Sequence, residues 1–284
     1  MKLKFSFIFF AFALLTFLNS PALAQKDSTI VQFVKIELIN GEEYLGNVIE
    51  ENDSSVVMKT ISELKITIPL TQIKSRELVK RELHKGEYWF ENPNRSRLFF
   101  APTGRALKDG EGYFAAYEIF FPFVAIGITD YVTLAGGMSL IPGIDHQIFY
   151  FAPKLTPVST ENFDMSIGLL FLVSPGSGSR SIVYTVGTYG NNYASGTLGI
   201  GYGFEFNSDS GGESVLMFGG ELRTSESFGL VSENWIFPSS GVFLFSFGGR
   251  FFGEKIAADF GLVTSSEAGG GFPFLPWLGF IYNF

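Results

Sequence analysis

The residues best suited to catalysis in this sequence surround one of its two histidines. His146 directly follows Asp145, whereas His84 lies among charged residues and is expected to be a solvated side chain. A histidine oriented by a carboxylate can act as a general base for a serine hydroxyl. The candidate hydrolase residues are therefore His146, Asp145 and either Ser139 or Ser174. The alternative is that His146 is a polar loop residue without a catalytic role.

A second group of charged residues could act on ions rather than on covalent bonds. In the last two thirds of the chain, alternating segments place a few charged side chains opposite the large apolar ones. These residues, expected to point inward, are Glu118, Asp164, Glu205, Glu221, Arg223, Glu233, Arg250 and Asp259. Carboxylates outnumber arginines, so they could form a constriction that prefers cations. Alternatively, the arginines bridge the carboxylates in a packed structural network.

The composition excludes several other classes of chemistry. The 284 residues include no cysteine, which excludes disulfides, thiolate metal sites and a cysteine nucleophile. The net charge of −8 disfavours a nucleic-acid partner, because such proteins carry a basic surface. Gly-rich stretches such as Ser174–Arg180 have no helix pattern after them and so do not predict a phosphate cradle. We expect no cofactor and no bound metal.

The elements that carry the charged residues read as membrane-spanning strands. Past residue 100, segments of about ten residues alternate between large apolar side chains and small or polar ones, as in 163–173, 197–205, 243–251 and 256–262. No stretch there has 18 consecutive apolar residues, which disfavours spanning helices. In hydrocarbon every backbone polar group must be paired within the protein, so such a sheet has to close. Four aromatic residues near strand ends are expected in the interfacial girdle: Tyr131, Tyr189, Trp235 and Trp277.

Twelve strands are predicted in this region, and Pro122 implies a bulge or break in the second of them. They cover residues 97–104, 112–128, 131–141, 146–155, 162–174, 180–189, 192–206, 214–223, 227–237, 240–252, 255–264 and 274–284. Short turns are expected at the end where the chain terminates and long outer loops at the other, among them 105–111. Thr156–Asn162 is a long exception among the short turns. A barrel of this size has a backbone radius of roughly 12 Å, which leaves a narrow pore or none.

The N-terminal third has a different character. Residues 1–24 read as a secretory signal peptide, with Lys2 and Lys4, an apolar run and a small-residue cleavage site after Ala24. Residues 25–80 alternate as four or five short strands and predict a small SH3/Sm-like β-module. Residues 81–96 are charged and are expected to form a linker or short helix, followed by the barrel at 97–284. The predicted fold is all-β: a closed antiparallel transmembrane β-barrel of about 12 strands after a small β-module.

The layout, the stretches 94–114, 230–238 and 250–262, and the terminal strand Leu278–Phe284 resemble outer-membrane β-barrel proteins of Gram-negative bacteria. The relatives in question carry a small periplasmic β-module and have no assigned activity. The resemblance implies location in the outer membrane with the module in the periplasm. It also implies contact with outer-membrane lipids and recognition of Leu278–Phe284 by the barrel-assembly machinery.

Three functions remain open on the sequence. The leading hypothesis is a small-solute channel or an envelope structural component without enzymatic activity. The second is a hydrolase at the membrane rim that uses His146. In the third, the N-terminal module is the functional part and docks a periplasmic partner or peptidoglycan.

Overall fold

A computed structural model describes residues 30–176, 178–206, 211–267 and 274–284. The predicted signal peptide, residues 1–24, lies outside these residues. The chain divides into two compact units, one ending at Phe90 and one spanning Glu91–Phe284. Among the described residues, no helix is both long enough and apolar enough to cross a membrane.

The first unit contains six strands: β1 (Ile30–Leu38), β2 (Glu43–Glu51), β3 (Ser55–Thr60), β4 (Lys65–Pro69), β5 (Ile73–His84) and β6 (Glu87–Trp89). They form one antiparallel sheet in the order β4-β3-β2-β1-β5-β6. Apolar and polar side chains alternate along β1, so one face of the sheet is buried. Ile36 and Leu38 lie on the buried face, whereas Glu37 between them accepts hydrogen bonds from Lys74 and Ser75. The core is completed by Val56, Met58 and Ile68. The SH3/Sm-like identity of this unit stays a prediction.

The linker expected at residues 81–96 is wrong for its first half. Strand β5 continues through His84, and β6 pairs back onto it, with Glu82 opposite Trp89. The charged residues that suggested a linker are instead the solvated sides of a long strand, because β5 alternates partly buried and exposed positions.

The second unit is a closed antiparallel barrel. Its strands are β7 (Gly112–Tyr117), β8 (Phe121–Thr129), β9 (Val132–Met138), β10 (Phe149–Phe151), β11 (Lys154–Ser159), β12 (Phe163–Ser174), β13 (Gly178–Gly190), β14 (Ala194–Glu205), β15 (Glu213–Ser225), β16 (Phe228–Phe237), β17 (Val242–Phe252), β18 (Ile256–Ser265) and β19 (Leu275–Asn283). The last strand pairs with the first, and Gly112 and Phe284 exchange backbone hydrogen bonds of 2.8 Å in both directions. This pairing closes the wall.

The wall has twelve strand positions, which confirms the predicted number. Short strands β10 and β11 both lie between β9 and β12, so they form one position interrupted at Ala152 and Pro153. Two of the predicted strands are nevertheless wrong. Residues 97–104 are not part of the wall, and 112–128 forms two strands, β7 and β8. A turn with positive φ at Glu118 (47°) and Ile119 (65°) separates these two strands.

The two faces of the wall match the predicted alternation. Large outward side chains are exposed, including Phe247 (62%) and Ile200 (60%), whereas Arg250 and Asp259 on inward positions are fully buried. Trp235 and Trp277 are exceptions to the expected girdle. Both pack against the apolar cluster inside the barrel, because they share the inward parity of their strands.

The connections differ from the prediction at two places. The long turn expected at Thr156–Asn162 is short, because β11 reaches Ser159 and β12 begins at Phe163. Residues 105–111 do not form an outer loop but lead from the barrel interior to β7, and the amides of Gly104 and Leu107 donate to wall threonines.

Candidate functional site

The barrel lumen is occupied by residues 91–107, which we call the plug segment. Its tip is a tight hairpin: the amide of Leu98 donates to the carbonyl of Ala101 at 2.8 Å, and that of Thr103 donates to Ser96 at 3.0 Å. The side chains of Leu98 and Phe99 at this tip are almost fully buried. The segment predicted as the first wall strand is therefore an internal plug.

The apolar tip of the plug fits space left by glycines in the wall. Leu98 and Phe99 pack in a cluster that includes Met217 of β15. A Cβ atom at Gly219 would lie 2.6 Å from Leu98 Cδ1, and one at Gly261 would lie 3.0 Å from Phe99 Cζ. At these positions, inward glycines accommodate the plug rather than widening a pore.

A buried network of charged groups joins the plug to the wall. Arg97 of the plug donates from Nη1 to Asp259 Oδ2 at 2.7 Å. Arg250 donates from Nε to the other Asp259 oxygen at 2.6 Å and from Nη1 to Glu221 at 3.0 Å. Asn92, at the start of the plug, donates to the second Glu221 oxygen at 2.7 Å. Both carboxylates are thus fully engaged by donors, and neither is a free ligand for a passing cation.

Glu233 holds the tip of the hairpin. One of its oxygens accepts the backbone amides of Phe100 and Ala101 at 2.8 and 2.9 Å. Its other oxygen accepts the indole N–H of Trp235 at 2.8 Å. The carboxylate satisfies turn amides that would otherwise be buried without partners, a situation that costs free energy.

Lys154 of β11 also binds the hairpin. Its buried ammonium donates to three backbone carbonyls of the plug, at 3.3, 3.2 and 2.6 Å: those of Ser96, Thr103 and Arg105. An ammonium group has three donors, so all three are used on the plug.

The distal part of the plug is fixed at Gly104. Its amide donates to Thr188 Oγ1 at 2.8 Å, and its carbonyl accepts Ser166 Oγ at 2.7 Å. A Cβ atom at this position would lie 2.3 Å from the carbonyl oxygen of Asp164, so only glycine allows this approach. Together, hydrogen bonds and ion pairs connect the plug to strands of the wall that include β9, β11, β12, β13, β15, β16 and β18.

The remaining predicted inward residues lie apart from this network or at its edge. Asp164 lies 3.5 Å from Arg105 Nε and accepts Ser159 Oγ at 2.6 Å. Glu205 is 3.7 Å from Arg180, whose side chain is 75% exposed.

Two further members of the predicted cluster make local contacts. Arg223 donates to the carbonyl of Glu226 and lies over the ring of Phe252 at 4.8 Å. Glu118, in the turn between β7 and β8, accepts the amide of Leu278 at 2.8 Å. The eight residues therefore do not form one ring of charges around the lumen.

The candidate hydrolase residues are not assembled. Ser139 is fully buried, and its Oγ is bonded to Gln147 Oε1 at 2.7 Å and to the amide of Ile148. His146 is exposed, and among the described residues no hydrogen bond joins it to Asp145 or to a serine. The residues described also include no group of three or more His, Cys, Asp or Glu that could hold a metal ion.

The sequence predicts Arg250 as an inward cation but not the cations that the plug and β11 contribute. Arg97 and Arg105 lie in stretches predicted as a wall strand and a loop, and Lys154 is not among the predicted inward charges. One signal for these cations is present in the sequence. The inward acids outnumber the inward arginines, so they need further cationic partners, and residues 95–105 supply three arginines: Arg95, Arg97 and Arg105.

Comparison with known proteins gives similarity at the level of barrel structures only. No protein-family model matches this sequence, and neither does any curated protein. The KdgM porin in complex with disordered oligogalacturonate has a TM-score of 0.49 and 9% identity, covering 61% of this chain and 98% of that chain. The NanC porin has a TM-score of 0.41 and 9% identity, covering 61% and 97%. A loop-deletion mutant of OmpT, an outer membrane protein of Vibrio cholerae, has a TM-score of 0.34 and 11% identity, covering 91% and 100%. The twelve-stranded barrel of this chain is established by its own strand pairing.

Proposed function

We propose that this chain is an outer-membrane β-barrel that acts as a gated small-solute channel, closed at rest by the plug segment. The observation that carries the proposal is an apolar outer wall around a lumen that holds a hairpin. Hydrogen bonds and ion pairs join this hairpin to the wall. The apolar wall supports a membrane location, and the plug supports a closed resting state.

The outer surface supports insertion into a bilayer. Strands β12, β14, β17 and β18 present several exposed Ile, Leu and Phe side chains on their outward positions. In water this surface would be a large aggregation-prone patch, whereas in lipid it is the expected surface of a barrel. We expect Leu278–Phe284 at the seam to be the segment that the barrel-assembly machinery recognises.

The strand count supports a periplasmic origin of the plug. With twelve strands, the chain enters β7 at the same end of the barrel at which β19 finishes, as the paired Gly112 and Phe284 require. Bacterial barrels keep both chain ends on the periplasmic side. On this proposal the module before the plug lies in the periplasm, where it could transmit a signal to the gate.

Conductance in planar bilayers tests the gate. The variant Arg97→Ala removes the plug's ion pair with Asp259, while Arg250 still neutralises that carboxylate. The wild-type protein should show only rare openings, and Arg97→Ala should open at least several-fold more often. The matched control is Arg180→Ala, which removes an exposed arginine and should behave as wild type.

A steady wild-type conductance that Arg97→Ala does not change would show that the plug is not a gate. Silence of all three proteins at every voltage would eliminate the channel and leave the envelope structural role.

A further inference from the structure

A partly enclosed cavity of about 90 Å³ lies beside the plug. One water needs roughly 10–15 Å³ of such volume, so the cavity has room for several waters or for a small organic molecule. Most of its lining is apolar and comes from inward positions of the wall, including Phe123, Leu170, Ile182, Val215, Met217 and Trp235. The interior is therefore not lined throughout by glycines and acids, as the alternation suggested, but has an apolar half.

The charged part of the lining is supplied by the plug and β11, and it is cationic. Arg97 and Lys154 both line the cavity, and the described lining contains no acidic residue. The acid next to it, Asp259, is already bonded by two arginines. The local field therefore favours an anion over a cation.

Two donors at this place lack partners. Ser96 and Arg97 are adjacent in the chain, are more than nine-tenths buried and both line the cavity. Among the described residues, Ser96 Oγ and Arg97 Nε have no hydrogen-bond partner. Buried donors are nearly always satisfied, so a pair of them at an apolar cavity indicates an acceptor that binds there.

We propose that the cavity binds an amphipathic organic anion, a monocarboxylate whose head accepts from Ser96 Oγ and Arg97 Nε and whose apolar body contacts the wall. Bidentate or paired donors suit a carboxylate with two oxygens. The binding site rests on the cavity and its two unpartnered donors, and it does not depend on the channel function. Its use as a substrate site rests on the proposed channel function, because the bound anion would lie directly against the plug.

Fluorescence titration with 2-naphthoate tests the site, with full-length protein in lipid nanodiscs and empty nanodiscs as background. The neutral analogue 2-naphthamide has the same apolar body without the charge. We expect saturable binding of one naphthoate and binding of the amide at least tenfold weaker. Ser96→Ala should weaken naphthoate binding by roughly tenfold, the effect of losing one hydrogen bond to a charged group.

A pair of tryptophan substitutions tests the location. Ile182→Trp fills the cavity from an inward position and should abolish saturable binding, whereas Ile167→Trp lies on the lipid-facing side and should leave it unchanged. Absence of saturable naphthoate binding, or equal binding by the two tryptophan variants, would overturn the proposal.

The naphthoate-binding experiment and the conductance experiment can fail independently of each other. Binding without any current would overturn the channel and keep the site. Current that depends on Arg97 without naphthoate binding would keep the channel and remove the site.

Discussion

At the scale of single residues, Asp259 is the centre of the molecule's buried chemistry. It is fully buried and accepts from Arg97 and Arg250, one from the plug and one from the wall. Burying charges is expensive, and removing one partner of a buried set leaves the others uncompensated. This residue therefore couples the stability of the wall to the presence of the plug.

We expect Asp259→Asn to lower the free energy of unfolding by about 3–5 kcal/mol, because two buried arginines lose their common counterion. Urea unfolding of the protein folded into lipid vesicles measures the change. The control is Glu205→Gln, which removes a carboxylate 3.7 Å from a largely exposed arginine and should cost about 1 kcal/mol or less. Equal shifts for the two variants would contradict the assignment of Asp259 as the centre of the network.

The wall members of this network, Arg250 included, could be predicted from sequence, and their partners on the plug could not. Asp259, Glu221 and Glu233 lie at regular inward positions of alternating strands, and the period of two identifies them. Arg97 lies in a hairpin inside the lumen, where no period relates it to the wall. The distance of 162 residues between Arg97 and Asp259 places their pairing beyond any local pattern.

At the scale of elements, the plug explains why the strand count was right although two strands were wrong. The stretch 97–104 has a short apolar run because the tip of the hairpin packs inside the wall, and a short apolar run alone does not distinguish this from a wall strand. The stretch 112–128 contains one turn more than expected, because Glu118 and Ile119 adopt positive φ without being glycine. One predicted wall strand too many at 97–104 and one too few at 112–128 leave the number of strands correct and their positions wrong.

The fit between plug and wall predicts a specific clash. Gly261→Val should displace Phe99, whose ring atom lies 3.0 Å from the added Cβ position, and should destabilise the protein by about 1–3 kcal/mol through overpacking. Adding Phe99→Ala should recover part of that loss, so a double-mutant cycle by urea unfolding should give a favourable coupling.

Gly196→Val is the matched control, because no atom lies within 4 Å of its Cβ position. An additive cycle between positions 261 and 99 would show that the glycine does not serve to admit the plug.

At the scale of the whole molecule, the apolar outer wall and the closed backbone ladder determine how the protein behaves outside lipid. All wall strands pair with two neighbours, so no edge is left for detergent to open. The fold class and the outward faces were predicted correctly from the sequence, since both depend on the regular alternation that a membrane imposes on a barrel.

We expect the folded protein to migrate differently on a detergent gel before and after boiling, because the closed wall resists the detergent at room temperature. The same comparison for residues 30–90 alone should show no shift, as their sheet is small and packs a single apolar cluster. Identical migration of boiled and unboiled full-length protein, or solubility of the barrel unit in buffer without detergent, would contradict a membrane-spanning wall.

The position of the plug in the chain has a consequence for biogenesis. Residues 91–107 are synthesised before any wall strand, yet their partners extend from Thr133 on β9 to Asp259 on β18, and the seam needs Phe284, the last residue. We expect the hairpin to lie inside before the final strand docks. The nascent cylinder therefore wraps around its own N-terminal peptide, and a chain truncated before β19 would retain that peptide without enclosing it.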